Sequence, residues 1–274
     1  MRLLRSLCEV VAATERCAPH QAVAFQALAD PGNSVLGEIL VEDQRICWAN
    51  SRGSHQLGAK LAELGGLSPH RLGELCRHSL AQGYPTLEGL RGAGGINEAE
   101  LEAALRRHVA ESLGSLARAI AEGRGRLSRP SPLAGGRINA RHAFLALELI
   151  AEAQAACPEL VVDLGPLPDW FEELSGAVPV RFCFLELEGE LLPVAAHGQK
   201  KLALLEAQAL ADQARRLLAK GAEGAPVGGD CRSALVASEG QGWAVVFEEP
   251  FLALLRFETE QTQSAILSSI RQAA

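Results

Sequence analysis

The spacing of apolar residues in the first half of the chain changes from helical to strand-like and back again. Apolar positions at i, i+3, i+4 and i+7 predict a helix over residues 2–13. Alternating apolar and polar positions predict a strand over 22–28 and a hairpin made of 35–41 and 45–49. Helical spacing returns over residues 54–123. This mixture predicts a helix-rich α+β fold.

Two helix starts within this region carry clear capping patterns. Ser68 and Asn97 are each preceded by an apolar residue that matches another four residues into the helix, and Glu100 completes a capping box with Asn97. A weaker copy at Asn139 predicts a helix over residues 140–156. The copies fit either an internal repeat or three independently capped helices, and the sequence leaves both interpretations open.

Stretches rich in glycine and proline divide the chain. Residues 123–137 are expected to form a loop with a short strand near Leu127. The pattern of apolar and polar residues changes across the proline-rich segment 157–168, so we place a domain boundary there. The predicted domains are residues 1–157 and 168–274.

The second domain has a regular order of predicted elements, α-β-β-α-β-β-β-α. This order predicts a five-stranded antiparallel sheet with helices on its faces. The predicted helices cover residues 169–174, 202–220 and 259–272, and the predicted strands cover residues 180–187, 190–196, 232–238, 243–248 and 251–257.

Composition and charge narrow the function classes. The chain has 274 residues, 48% of them hydrophobic, and a formal charge of −7, which argues against wholesale disorder and against a polyanion-binding coat protein. We expect no nucleic-acid partner. No apolar window is long enough to predict a membrane-spanning helix, and the first residues do not resemble a signal peptide. Seven scattered cysteines without a Cys-x-x-Cys pair are typical of free thiols, so we expect a cytoplasmic protein.

The sequence lacks the common catalytic motifs. It contains no Walker A, dinucleotide-binding G-x-G-x-x-G, H-E-x-x-H or G-x-S-x-G pattern. Glu186, Glu188 and Glu190 surround a predicted turn, where a solvated hairpin end explains them better than paired-carboxylate catalysis. We therefore predict that the protein is not an enzyme and needs no cofactor or metal.

One basic concentration lies in and just after the Gly/Pro loop. Its two interpretations are a solvated loop and a surface for an acidic partner. Its members are Arg124, Arg126, Arg129, Arg137 and Arg141.

The second domain resembles the roadblock family of dynein-light-chain-like modules. The similarity covers about residues 168–274 and rests on element order, on the hairpin at residues 187–190, on the Ala/Leu-rich helix from Leu202 and on the strands containing residues 235–237 and 243–246. The resemblance implies dimers that pair through a helix and an edge strand, and partnership with small Ras-like GTPases.

The first domain resembles the opening of PATAN-type domains. The similarity lies in the hairpin segments 37–41 and 46–49 and in the following Leu57, Leu61 and Leu64. It implies a module of bacterial signalling proteins.

Together these features predict a non-catalytic regulatory protein that dimerises through a roadblock-like domain and binds a small GTPase or its signalling complex. The alternative is a structural scaffold in bacterial signalling with no GTPase involved. The residues predicted to form the partner or dimer interface are Leu202, Leu205, Ala209, Arg216, Arg232, Ala234 and Val236.

Overall fold

A computed structural model shows two compact units, Arg2–Pro158 and Glu159–Ala274, which we call the N-unit and the C-unit. Both combine helices with an antiparallel sheet, so the α+β class is confirmed. The structure describes residues 2–52, 57–64, 66–81, 97–133, 142–156, 167, 171, 178, 181–187, 189–197, 203–219, 226–228, 231–238, 241–257 and 268.

The N-unit contains one antiparallel sheet with the strand order β3-β2-β1-β4, in which β5 also pairs with β1. The helices are α1 (Arg2–Glu15), α2 (Leu57–Leu64), α3 (Pro69–Ala81), α4 (Glu98–Ala121) and α5 (Ala146–Ala156). The strands are β1 (Ala22–Ala29), β2 (Val35–Glu42), β3 (Arg45–Ser51), β4 (Gly125–Leu127) and β5 (Ser131–Pro132).

The core of the N-unit lies between this sheet and helix α4. Phe25, Ile39 and Ala49 are paired across β1, β2 and β3, and all three are buried. Leu113 and Leu116 of α4 are buried as well. Helix α4 contacts β3, β4, α1, α2 and α5, so it is the centre of the unit.

The β2–β3 turn shows how local chemistry replaces glycine. Asp43 and Gln44 have positive φ angles of 51° and 62°, as a two-residue hairpin turn that follows the strand twist requires. The Asp43 carboxylate accepts a hydrogen bond from the His20 N–H at 2.7 Å, and the Gln44 amide donates to the Cys17 carbonyl at 3.0 Å. These contacts hold the left-handed backbone in place.

The helix starts were predicted with mixed success. The capping box of α4 is confirmed, because the Asn97 side chain accepts from the Glu100 N–H at 2.8 Å and the Glu100 carboxylate accepts from the Asn97 N–H at 3.3 Å. Helix α5 begins at Ala146, so the predicted start at residue 140 was wrong. Phe144 instead forms a β-bridge with Ile46 and exchanges two backbone hydrogen bonds with it. Asn139 lies outside the described residues.

The C-unit contains a six-stranded antiparallel sheet with the order β7-β6-β11-β10-β9-β8. The predicted number of five was wrong because a three-residue strand, β8, adds to the edge. The predicted helices 169–174 and 259–272 lie largely outside the described residues. The elements are β6 (Arg181–Leu187), β7 (Glu190–His197), α6 (Leu204–Ala219), β8 (Pro226–Gly228), β9 (Cys231–Ser238), β10 (Gln241–Glu248) and β11 (Phe251–Phe257).

Both faces of the central strands in this sheet are covered. Consecutive residues are buried along β6, β10 and β11, rather than every second residue. Phe182 packs near Trp243, with ring centroids 5.9 Å apart. The neighbouring Arg181 points to the opposite face, where its guanidinium lies 5.4 Å from the centre of the Phe171 ring. The C-unit sheet therefore offers partners its edges more readily than its central faces.

Candidate interaction surface

Helix α6 is held on the C-unit sheet by a stripe of small and medium apolar side chains. This stripe follows a helical period and faces β9 and β11. Its buried members are Leu204, Ala207, Leu210, Ala211 and Ala214. The small side chains allow a close approach of helix to sheet, which fixes which residues of α6 remain outside.

Polar contacts also tie α6 to the β6–β7 hairpin. The Gln208 amide donates to the Leu191 carbonyl at 3.1 Å. Arg215 donates to the Gly189 carbonyl at 3.4 Å, and its guanidinium lies 3.6 Å from a carboxylate oxygen of Glu186. Because Arg215 and Glu186 remain partly exposed, this ion pair contributes at most about 1 kcal/mol. Its main effect is to orient α6.

The outward face of α6 contains some of the predicted interface residues. Ala209 and Arg216 are exposed and Leu205 is half-buried, whereas Leu202 lies outside the described residues. Gln213 is exposed between Ala209 and Arg216, and sequence reasoning missed it. The outward stripe is therefore a mixed surface in which the exposed apolar area is small.

The other predicted interface residues belong to β9. Arg232, Ala234 and Val236 are paired in register with Phe247, Val245 and Trp243 of β10, in that order. Strand β9 is second from the sheet edge rather than outermost, because β8 pairs with it at Cys231 and Arg232. Within the described part of the chain, no strand covers β9 from Ser233 to Ser238.

The hairpin loops show which backbone groups of β9 point away from β10. Ser238 pairs with Gln241 across a two-residue connection, as Gly228 pairs with Cys231. The residues that flank such a connection exchange hydrogen bonds, and bonding then alternates along the strand. Counting from either loop gives the same result. In the part of β9 that β8 does not cover, the N–H and C=O groups of Ser233, Leu235 and Ala237 point away from β10. Loop length was the signal that could have identified this set from the sequence.

Several other sheet edges in the described residues carry an obstacle to a further strand. Strand β7 carries Pro193 beside a register shift, and proline has no N–H to donate to a further strand. In the N-unit, the bridge to Phe144 occupies the outer side of β3 at Ile46, and β5 ends in Pro132. In contrast, β9 from Ser233 to Ser238 contains neither proline nor charge.

The described residues include buried cysteines as well as His, Asp and Glu side chains. They contain no group of three or more His, Cys, Asp or Glu side chains that could hold a metal ion. Burial, reinforced by the charge of Glu42, raises the pKa of the Cys47 thiol to about 12. Burial also raises the pKa of Cys17. Neither thiol is a ready nucleophile at neutral pH.

The helices were tested for membrane-spanning character, and the chain was compared with known proteins. None of the described helices combines the length and apolar character needed to cross a bilayer. Comparisons with protein-family models, with curated proteins and with solved structures gave no match.

Proposed function

We propose that this chain is a non-catalytic regulatory protein that dimerises by pairing β9 with β9 of a second copy. The single observation that carries the proposal is the uncharged edge from Ser233 to Ser238, which no strand covers within the described part of the chain. An edge of this kind is a template for another strand, and proteins protect such edges when pairing is unwanted.

The hydrogen-bonding pattern specifies the register of the pair. Outward residues must face outward residues, so a twofold axis centred on the open segment places Leu235 opposite Leu235 of the second copy. Ser233 then faces Ala237 in both directions. Three outward residues on each copy give about six hydrogen bonds across the interface.

This pairing alone gives a weak dimer. About six hydrogen bonds, at about 0.5–1.5 kcal/mol each, contribute about 3–9 kcal/mol. Association costs about 4–15 kcal/mol in lost translational and rotational freedom. Side chains beside the edge must therefore contribute, and the outward face of α6, with Leu205, Ala209 and Arg216, is the nearest described candidate because α6 packs against β9.

Proline substitutions separate edge pairing from folding. Ala237→Pro removes an N–H that points away from β10, so the sheet is retained and the dimer is lost. Ala234→Pro is the matched control, because its N–H belongs to the ladder with β10 and its loss disrupts the sheet. Light scattering of the full chain at micromolar concentration should give twice the 29.0 kDa chain mass for the unsubstituted protein and the chain mass for Ala237→Pro. A monomeric unsubstituted protein would overturn the proposal.

We further propose that the partner of the dimer is a small Ras-like GTPase or its signalling complex in the cytoplasm. The support is the roadblock resemblance of residues 168–274, which is an analogy of fold and texture. Purified small Ras-like GTPases, each loaded with GDP or with a non-hydrolysable GTP analogue, should bind the immobilised full chain differently in the two states.

A bacterial signalling scaffold is the alternative role. The PATAN-like hairpin of the N-unit favours it, since that resemblance implies a module attached to other regulatory proteins. Equal binding in both nucleotide states, or no binding of any GTPase by a chain that still dimerises, would support the scaffold and exclude a nucleotide-reading role.

A further inference from the structure

One end of the N-unit sheet exposes an apolar side chain among arginines. Val35 is a large hydrophobic residue that is exposed, with 40% of its surface accessible. It pairs with Leu28 of β1, which is half-buried, and Leu28 pairs with Arg126 of β4. Residues paired in this way lie side by side on one face of a sheet.

This face is opposite the one that packs on α4. A Cβ atom on Gly37 would lie 2.9 Å from Leu116 of α4, which shows that Gly37 and its partner Ala27 belong to the core face. Leu28 follows Ala27 and therefore points the other way. Exposed Gln26 shares the face with Leu28 and Val35, so this part of the sheet is accessible to a partner.

Arg52 and Arg126 flank Val35 and Leu28, and Arg129 follows Ser128, whose N–H donates to the Gln26 carbonyl. None of the three has a carboxylate partner among the described residues. The Arg126 guanidinium donates to the neutral Asn33 side chain at 2.8 Å, and this contact holds it beside the patch. Arg52 follows β3 and donates its backbone N–H to the Leu36 carbonyl, and Arg129 is exposed just after β4. In contrast, Arg124 nearby is neutralised by Glu122, with which it forms an ion pair.

The charge at this end is local rather than a property of the whole chain. Residues 2–158 carry 17 Lys and Arg against 16 Asp and Glu, and residues 159–274 carry 9 against 17. The exposed acid nearest in sequence to the patch is Asp30, two residues after Leu28. The half-buried Glu38 also lies on this face, because it pairs with Gln26. Three guanidinium groups without a carboxylate partner among the described residues, against these two carboxylates, leave the patch positive.

We propose that Leu28, Val35, Arg52, Arg126 and Arg129, here called the Val35 patch, bind an acidic protein segment with a central apolar residue. The carboxylates would pair with the arginines, and the apolar residue would cover Val35 and Leu28. Arg52 and Arg126 are separated by three strand spacings, about 14 Å. An extended segment covers about 13 Å in four residues, so the expected ligand carries acids on both sides of an apolar residue, two positions away from it.

The probe is a fluorescein-labelled peptide centred on the sequence Glu-Ala-Leu-Ala-Glu, titrated with the full chain at 50 mM NaCl. Anisotropy should show saturable binding that weakens as salt is raised, because the arginines are exposed and their charges are screened. Peptides centred on Lys-Ala-Leu-Ala-Lys and Glu-Ala-Ala-Ala-Glu should bind more weakly, the first through charge and the second through lost apolar contact.

Substitutions on the protein then locate the binding. Arg126→Glu should weaken the affinity about fivefold, because it replaces an attraction with a repulsion at an exposed site. Val35→Ala should weaken it about threefold, and its exposure means that the fold is retained. Arg45→Glu is the matched control, since Arg45 lies on the same sheet about 20 Å away along β3, beyond the screening length, and should leave the affinity unchanged.

Three results would overturn the proposal: no saturable binding at 50 mM NaCl, equal losses with Arg45→Glu and Arg126→Glu, or equal affinity for a short single-stranded DNA of the same charge. The last would show that the patch responds to negative charge alone. Because the Val35 patch lies in the N-unit, Ala237→Pro should leave peptide binding intact. The two proposals therefore fail or succeed separately.

Discussion

Replacing Gly37 with alanine should destabilise the N-unit more than the same replacement at any other described glycine of that unit. A Cβ atom on Gly37 would lie 2.1 Å from the backbone oxygen of Asn50 and 2.9 Å from a methyl carbon of Leu116. The first neighbour is backbone of the adjacent strand, so a rotamer change cannot relieve the clash. The second belongs to α4, so the methyl group is confined between strand and helix.

The expected cost follows from these distances. Real Cβ atoms essentially never approach a neighbour within 3.0 Å, so β2 and β3 must separate by about 1 Å at this point. That movement strains the hydrogen bond from the Glu38 N–H to the Asn50 side chain, which measures 3.0 Å. Overpacking of this kind costs about 1–3 kcal/mol, and a backbone contact belongs at the upper end. The lower entropy of unfolded alanine returns about 0.5 kcal/mol, which leaves a net loss of about 2.5 kcal/mol.

Urea unfolding followed by far-UV circular dichroism and by tryptophan emission measures this loss. Gly73→Ala is the control, because a Cβ atom at Gly73 has no neighbour within 4 Å and the residue lies inside helix α3. Alanine there should raise the free energy of unfolding by about 0.5–1 kcal/mol. If Gly37→Ala unfolds within 0.5 kcal/mol of the unsubstituted protein, the close approach of β2, β3 and α4 is wrong.

Four further substitutions test local features of the N-unit. Asn97→Ala should lower the free energy of unfolding by about 1 kcal/mol in urea titrations, because it removes the capping box of α4. Ser112→Ala should be neutral or should stabilise the protein by up to about 1 kcal/mol, since the buried Ser112 hydroxyl has no hydrogen-bond partner in the described structure. Thr14→Ala should instead lower the free energy of unfolding by about 1 kcal/mol, because the Thr14 hydroxyl donates to the Val11 carbonyl at 2.7 Å. Cys47 should resist iodoacetamide at pH 8 in the folded protein, as mass spectrometry of the labelled chain would show. The pKa of Cys47 is about 12 in the folded protein, above the unfolded value of 9.0. The stability that the neutral thiol contributes is therefore complete below pH 9, and the free energy of unfolding falls by about 1.4 kcal/mol per pH unit above it. Cys47→Ala should remove this slope from urea titrations between pH 8.5 and 10.

The elements that the sequence predicted well are those whose cause is local. The capping box at Asn97 needs only residues three apart, and the hairpin at Asp43 and Gln44 needs only two patterned strands and a short turn. The five predicted C-unit strands and α6 were placed to within two residues for the same reason. Periodicity also identified the buried stripe of α6, with Ala207, Leu210 and Ala214 among its members.

The errors arise where distant residues decide the structure. The segment before Ala146 has a helical pattern, yet Phe144 pairs with Ile46, nearly a hundred residues earlier in the chain. Strand β8 has only three residues, and such a segment becomes a strand because β9 offers it an edge. The Val35 patch was visible in the sequence only as an arginine-rich loop, because the register that brings Val35 and Arg126 together depends on β1 lying between their strands.

The two proposed surfaces differ in the forces that they use, and ionic strength should therefore separate them. Pairing through Ser233, Leu235 and Ala237 depends on backbone hydrogen bonds, which salt screens little, and the segment carries no charge. Binding at the Val35 patch depends on exposed guanidinium groups and should decline steeply between 50 and 500 mM NaCl. If the mass of the dimer persists across this range while the anisotropy of the labelled peptide falls, the C-unit associates by backbone pairing and the N-unit recognises charge. Parallel loss of both would mean that side-chain charge holds the dimer together, and the backbone register derived above would then be wrong.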